Sequence, residues 1–268
     1  MHIYFICCYT GEYKENVISV LNNLTNFTNY FTILINQTNT PINLAYNNYQ
    51  EVVTTKVGAS KARNLGIDLS IAQSESLDDL IYFWDEDIYI SNEILTNLNK
   101  YKLNPKYSAI TLKIKGFNGE RIGNKLITTK FFSFLNSYRL GNPSFLFKLH
   151  KIKIKFDENI GPGKKIIIAA EDTLFIIQNN FFKTICPFED KYLLHPNATD
   201  ITTDDKVYSY SVSQGFILKK LTYLDQLIFF IIIIHRPLIG YIFSIKKRGF
   251  YIKRIQGIIY GYKKDFNI

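Results

Sequence analysis

At 268 residues and 47% hydrophobic content, the chain is long enough for one large domain, or a domain with an appendage, and its composition argues against disorder. Three cysteines, two of them adjacent at Cys7 and Cys8, exclude a disulfide framework and fit a reducing compartment. The formal charge of +9 is uneven: residues 1–205 hold 21 Lys/Arg against 21 Asp/Glu, whereas residues 206–268 hold 11 against 2. A nucleic-acid partner is not expected, because the excess cations sit beside a run of isoleucines and are not interleaved with aromatics over a folded surface.

The opening MHIYFICCYTGEYKEN has no cationic n-region, and its apolar run is too short for a signal-peptide core, so IYFICCY reads as a first strand. EYKENVISVLNNLTNF follows as an amphipathic helix, YFTILIN as a second strand, and ASKARNLGIDLSIAQ as a helix entered through Gly58. DLIYFWDED is a further strand. This βαβ alternation predicts an α/β fold with a Rossmann-like, mostly parallel, doubly wound sheet, in which ligands collect at the carboxyl ends of strands. From Lys106 to Phe156 the text turns strand-rich, through YSAITLKIKG and FLFKLHKIKIKFD, before AEDTLFIIQNNF resumes a helical pattern.

The stretch IYFWDED ends an apolar run in three acids, Asp85, Glu86 and Asp87, which repel one another unless something cationic sits between them. On an extended backbone Asp85 and Asp87 project to one side and Glu86 to the other. Such a pair at the mouth of a sheet suits a hard divalent cation, Mg2+ or Mn2+, with positions left for phosphate oxygens; it also suits a solvated turn. VGASKARNLGI offers Gly58 ahead of a helix carrying Lys61 and Arg63, where a diphosphate could meet backbone N–H groups and cations, or an ordinary basic face could meet water. FDENIGPGKKIIIAAEDTLF offers the turn Gly161-Pro162-Gly163, then Glu171 and Asp172 at a helix start, where acids also serve the macrodipole.

Taken together and in this order, the three stretches resemble the family 2 glycosyltransferases of GT-A fold, over about residues 3–200. DED matches that family's Asp-x-Asp position, GASKARNLGI its Gly-x-Ser-x-Ala-Arg-Asn-x-Gly-Ile helix, and FDENIGPG with AEDTLF its acceptor loop and Glu-Asp pair. The resemblance implies an inverting, metal-dependent transfer of a sugar from a nucleotide sugar, foremost a UDP-sugar, to a glycan or lipid-linked acceptor in surface polysaccharide synthesis. It implies a catalytic domain at 1–205, with a nucleotide-sugar half at about 1–105 and an acceptor half at about 106–205. Tyr9, Thr10 and Glu12 would lie beside the nucleoside, and Asn36, where the family usually has Asp, would meet the base. Arg63 would stand near the nucleotide, Asp85 would face ribose or metal, and Asp87 would hold Mn2+ or Mg2+. Asp172 would be the general base, with Glu171 beside it and Gly161 and Gly163 in the acceptor loop. His195, in LLHPNAT, would be a further metal ligand or a structural histidine.

The tail, residues 206–268, reads as a basic, apolar, helical extension. LIFFIIII (Leu227–Ile234) and LIGYIFSI (Leu238–Ile245) are each too short to span a bilayer, and His235, Arg236 and Pro237 are expected to keep them apart. They suit either a segment lying in an anionic leaflet, on the cytoplasmic face of the cell membrane, or a basic, well-buried helix pair. Two other functions fit the residues: a nucleotidyl or phosphosugar transferase, and a catalytically silent glycan-binding or docking protein at the membrane.

Overall fold

The computed structural model describes residues 1–44, 46–55, 58–100, 104–122, 144–162, 164, 167–196, 204–244 and 247–265. The chain divides into two compact units, one comprising Met1–Phe156 and Asp172–Ala198, the other Asp157–Glu171 and Thr199–Ile268.

The first unit is an α/β sandwich. Its strands are β1 (Ile3–Tyr9), β2 (Tyr30–Asn36), β3 (Tyr49–Val53), β4 (Leu80–Asp85), β5 (Ala109–Gly116), β6 (Arg121–Ile122), β7 (Phe145–Lys148) and β8 (Ile185–His195). Its helices are α1 (Lys14–Leu24), α2 (Ala59–Gln73), α3 (Asn92–Lys100) and, beginning at the unit boundary, α4 (Glu171–Gln178). The sheet runs β3-β2-β1-β4-β7-β5-β6, with β8 also on β5. The first four strands are parallel; β7 enters antiparallel between β4 and β5. Strand order reverses between β1 and β4, which makes their carboxyl ends the switch point where a ligand crevice forms.

Alternation along the strands builds two cores. Phe5, Cys7, Tyr82 and Trp84 pack with Val17 and Leu21 of α1 and Leu95 of α3. Tyr4, Ile6, Ile81 and Phe83 pack on the opposite face with Ala62 and Ile67 of α2 and Phe175 of α4. Helix α2 approaches closely: a Cβ on Gly66 would lie 2.3 Å from Ile6 Cγ2.

Two expectations are corrected. FLFKLHKIKIKFD is strand only over Phe145–Lys148, because Lys148 pairs with Leu80, the first residue of β4, and the ladder has no partner beyond it. In the second unit, the first apolar block of the tail and Leu238–Phe243 of the second are one helix, α6 (Tyr223–Phe243), which runs through Pro237. One interior proline removes a single N–H bond and the turns on either side keep theirs, so the helix continues where the sequence suggested a break. The stretch Gln226–Phe243 has mean hydropathy 1.8 and is long and apolar enough, by length and composition, to cross a membrane. Leu227, Phe230, Ile231, Leu238 and Ile242 are exposed along it. The flanking helices, α5 (Asp204–Lys220) and α7 (Arg248–Lys263), pack backbone to backbone, since a Cβ on Gly215 would lie 2.0 Å from Ile258 O and one on Gly261 2.0 Å from Val212 O.

Candidate active site

Strand alternation decides where the first acid goes. Phe83 faces α2, so Asp85, two residues on, faces it as well, and there it meets Arg63. Arg63 Nη2 lies 3.1 Å from Asp85 Oδ1, and Nη1 lies 3.0 Å from Asp172 Oδ1. The guanidinium, 5% exposed, therefore joins the end of β4 to the first turn of α4, and its carbon stands 5.4 Å over the Phe156 ring. Phe156 in turn stacks on Phe175 at 4.0 Å, and Phe175 is three residues after Asp172 on the same face of α4. Asn64, next to Arg63, fixes Phe156 by reciprocal bonds: its Nδ2 donates to Phe156 O, and Phe156 N donates to its Oδ1, both at 2.9 Å.

Beyond Asp85 the backbone turns. Ile88 N donates to Asp85 O at 2.9 Å, Trp84 Nε1 donates to Ile88 O at 2.7 Å, and Asn16 Nδ2 donates to Glu86 O at 2.6 Å. The two outer acids consequently do not share one extended face, as their spacing suggested. Asp87 instead meets His195: its Oδ2 lies 3.3 Å from His195 Nε2, while its Oδ1 is buried with no hydrogen-bond partner. An antiparallel bridge between Tyr89 and Leu194 brings the end of β8 to this turn. Glu86 points the other way, and its carboxylate accepts from Thr10 N at 3.1 Å, Thr10 Oγ1 and Gly11 N at 3.3 Å.

The electrostatics follow from this crowding. Asp85 has its pKa raised, first by loss of water; Arg63 pulls it down, and Asp172 and Asp87 push it up. Arg63 is thus the cation that the acid cluster requires. A carboxylate oxygen with no partner, beside an imidazole, is a donor set that fits a divalent ion such as Mn2+. Among the described residues no three His, Cys, Asp or Glu gather as a group able to hold an ion.

The other candidate residues fall as follows. Tyr9 is 3% exposed and lies in the core shared with α1, so its side chain is not available to a nucleoside. Thr10 is tied to Glu86, and Glu12 is exposed. Asn36 is fully buried and bonded within its own loop. Glu171 opens α4 and is 5% exposed. Gly161, at φ +104, closes a turn in the second unit by donating to Ile167 O at 2.8 Å. Gly163 lies outside the described residues. Sequence reading missed Asn16, Asn64 and Phe156, whose bonds and stacking partners lie far along the chain; the Asn that follows Arg63 in the motif was the available signal for one of them.

No family model matches the sequence, and no curated protein matches it in a sequence search. Solved structures do match. The 1–349 segment of TarS from S. aureus in complex with UDP-GlcNAc aligns with TM-score 0.65 and 17% identity, covering 98% of this chain and 82% of that one. Mannosyltransferase PcManGT from Pyrobaculum calidifontis, in complex with GDP-Man and Mn2+, aligns with TM-score 0.54 and 10% identity, covering 99% of this chain and 76% of that one. With a four-stranded parallel half, a switch point at β1 and β4, and acids at the end of β4, the chain has the GT-A fold of these glycosyltransferases.

Proposed function

We propose that the protein is an inverting glycosyltransferase that moves a sugar from a nucleotide sugar, foremost a UDP-sugar, to a hydroxyl of a glycan or lipid-linked acceptor. The observation that carries this reading is the division of the acids between two places. Asp172 is held on α4 by Arg63, whereas Asp87 meets His195. A single displacement suits that division, because one carboxylate must stay off the metal to act as base while another serves the leaving group. Asp172 would accept the acceptor hydroxyl's proton as that oxygen bonds to the anomeric carbon and the carbon's bond to the diphosphate oxygen breaks, so that configuration inverts. Arg63, 3.0 Å from its Oδ1, orients Asp172 for this. Asp87 and His195 would hold Mn2+ or Mg2+, which when bound stabilises charge on the departing diphosphate. The matching structures with UDP-GlcNAc and with GDP-Man and Mn2+ support the donor class and the ion.

The second unit supports work at a membrane, as in surface polysaccharide synthesis. Residues 206–268 carry 11 Lys/Arg against 2 Asp/Glu beside the exposed apolar side chains of α6. His235 and Arg236 fall within that helix, which favours its lying in an anionic leaflet, on the cytoplasmic face, over its crossing the hydrocarbon. The donor half of the proposal is tested by calorimetry of UDP, GDP and dTDP with and without Mn2+. At least one should bind in an ion-dependent manner, and Asp87→Ala should lose the ion dependence. Equal binding by the variant with the ion would remove Asp87 from the ion site.

A further inference from the structure

The far side of the sheet carries a group of cations that the transfer step does not use. Along β5, Leu112 and Ile114 enter the core shared with α1 and α3, so Lys113 and Lys115 project from the other face, the one on which Arg63 meets Asp172. Both ammonium groups gather on one ring of β8: Lys115 Nζ lies 3.7 Å from the centroid of Tyr192, and Lys113 Nζ lies 5.6 Å from it. The ring comes there because β5 and β8 run parallel, with Lys113 opposite Tyr192 and Lys115 opposite Leu194. On its other edge Lys115 is paired in register with Arg121 of β6, a third basic residue of the row.

Two ammonium groups on one ring repel each other, and the negative face of the tyrosine offsets that only in part. The nearest acid in sequence is turned away. The Glu120 carboxylate lies over Gly116, where a Cβ would point to the face opposite Lys115. Among the described residues no carboxylate is ion-paired with Lys115. A bound anion would complete such a group.

Its place in the sheet says which anion. Leu194 bridges to Tyr89, two residues beyond Asp87, and the next residue, His195, is opposite Gly116 and meets Asp87. Neighbouring strands lie about 4.8 Å apart, so Lys115 is one strand, and Arg121 two strands, from the strand that brings His195 to the turn. The donor crevice opens between β1 and β4, whereas the cations stand on β5, which the sheet order separates from β4 by β7. They share a face of the sheet with Asp172 and stand away from that crevice, beside the approach of an acceptor.

We propose that Lys113, Lys115 and Tyr192 form an acceptor subsite for a negatively charged glycan, one with phosphodiester or uronate groups along its chain. The two ammonium groups take an anionic group near the accepting hydroxyl, and the tyrosine ring holds them side by side. This rests on the transferase reading above and narrows its acceptor.

The test is calorimetry of the 268-residue chain, with Mn2+ and whichever of UDP or GDP it binds, against a glycerol phosphate oligomer, oligogalacturonate and neutral maltohexaose. At low salt one of the anionic oligomers should bind at least tenfold more tightly than maltohexaose, and added salt should weaken it. Which of the two binds separates a phosphodiester chain from a uronate chain. Lys115→Gln should weaken that oligomer about threefold to fivefold, as loss of a half-exposed charge contact does, and Lys113→Gln/Lys115→Gln should weaken it further. Lys115→Arg, which keeps the charge, should stay near wild type, and nucleoside diphosphate affinity should stay within about twofold in every variant. Binding of neither anionic oligomer, equal binding of maltohexaose, or unchanged oligomer affinity in the double variant would overturn the proposal. Loss of nucleoside diphosphate affinity in step with the oligomer would overturn it too, by placing the lysines at the donor's diphosphate. A wild type that binds an anionic oligomer but no nucleoside diphosphate would instead remove the transferase reading, and the acceptor role with it.

Discussion

With Arg63 buried and its guanidinium shared between Asp85 and Asp172, one cation holds two carboxylates in place. Asp85 has a raised pKa, so its contribution to stability is whole below its unfolded value, near 3.8, and is lost as pH rises through the raised folded value. At neutral pH its ionisation is a cost that Arg63 offsets. Arg63→Met keeps the stem over Phe156 and removes the charge, and it should lower stability at pH 7 by about 2–3 kcal/mol. That is less than the roughly 3–5 of a fully buried pair, because both acids keep some water. The deficit should shrink toward pH 4, as Asp85, with its raised pKa, takes up its proton and no longer needs a cation beside it. Urea unfolding at both values decides this, and a deficit independent of pH would mean that packing, not charge, is what Arg63 supplies. The residue types at this site were legible: Asp85, Arg63 and Asp172 stand out by motif and spacing. Their meeting was not, since it depends on how α2 and α4 lie on the sheet, and Asn64 reaches Phe156 across 92 positions of sequence.

At the scale of elements, periodicity decided what could be read. β1, β2 and β4 are mainly apolar runs and α1 is plainly amphipathic, so these parallel strands were legible in the sequence. β3, with the sequence YQEVV, is half-exposed along its length and lacks the apolar run that marked its neighbours. The Arg-Pro break between the apolar blocks suggested two segments, but α6 continues through Pro237 because the apolar pattern extends over both sides of it. The pairing of α5 with α7 depends on Gly215, Gly257 and Gly261, where a Cβ would meet backbone of the facing helix. Gly261→Val should push the two apart, costing roughly 1–3 kcal/mol, as overpacking does. Circular dichroism with thermal melting would register the lower melting temperature; a melting temperature equal to wild type would mean that the helices close up without the backbone contact.

For the whole molecule, the excess charge is confined to residues 206–268 and coincides with exposed apolar side chains on α6. Basic residues near an anionic surface contribute about 1 kcal/mol each, and salt screens that part while leaving apolar insertion intact. The 268-residue chain should therefore float with vesicles containing phosphatidylserine. High salt should release part of it, and neutral vesicles should capture less. A monodisperse protein that ignores anionic vesicles would place α6 against a protein partner instead.

The claim on which these scales converge is that Asp172 takes a proton from an acceptor while Asp87 serves the leaving diphosphate. Release of nucleoside diphosphate from a panel of nucleotide sugars with Mn2+, measured alongside donor affinity, tests it most directly. Wild type should turn over at least one donor, and Asp172→Asn should bind that donor within a few-fold of wild type while its turnover falls about a hundredfold to ten-thousandfold. Full turnover by Asp172→Asn, or no nucleotide sugar bound or consumed by wild type, would contradict the account.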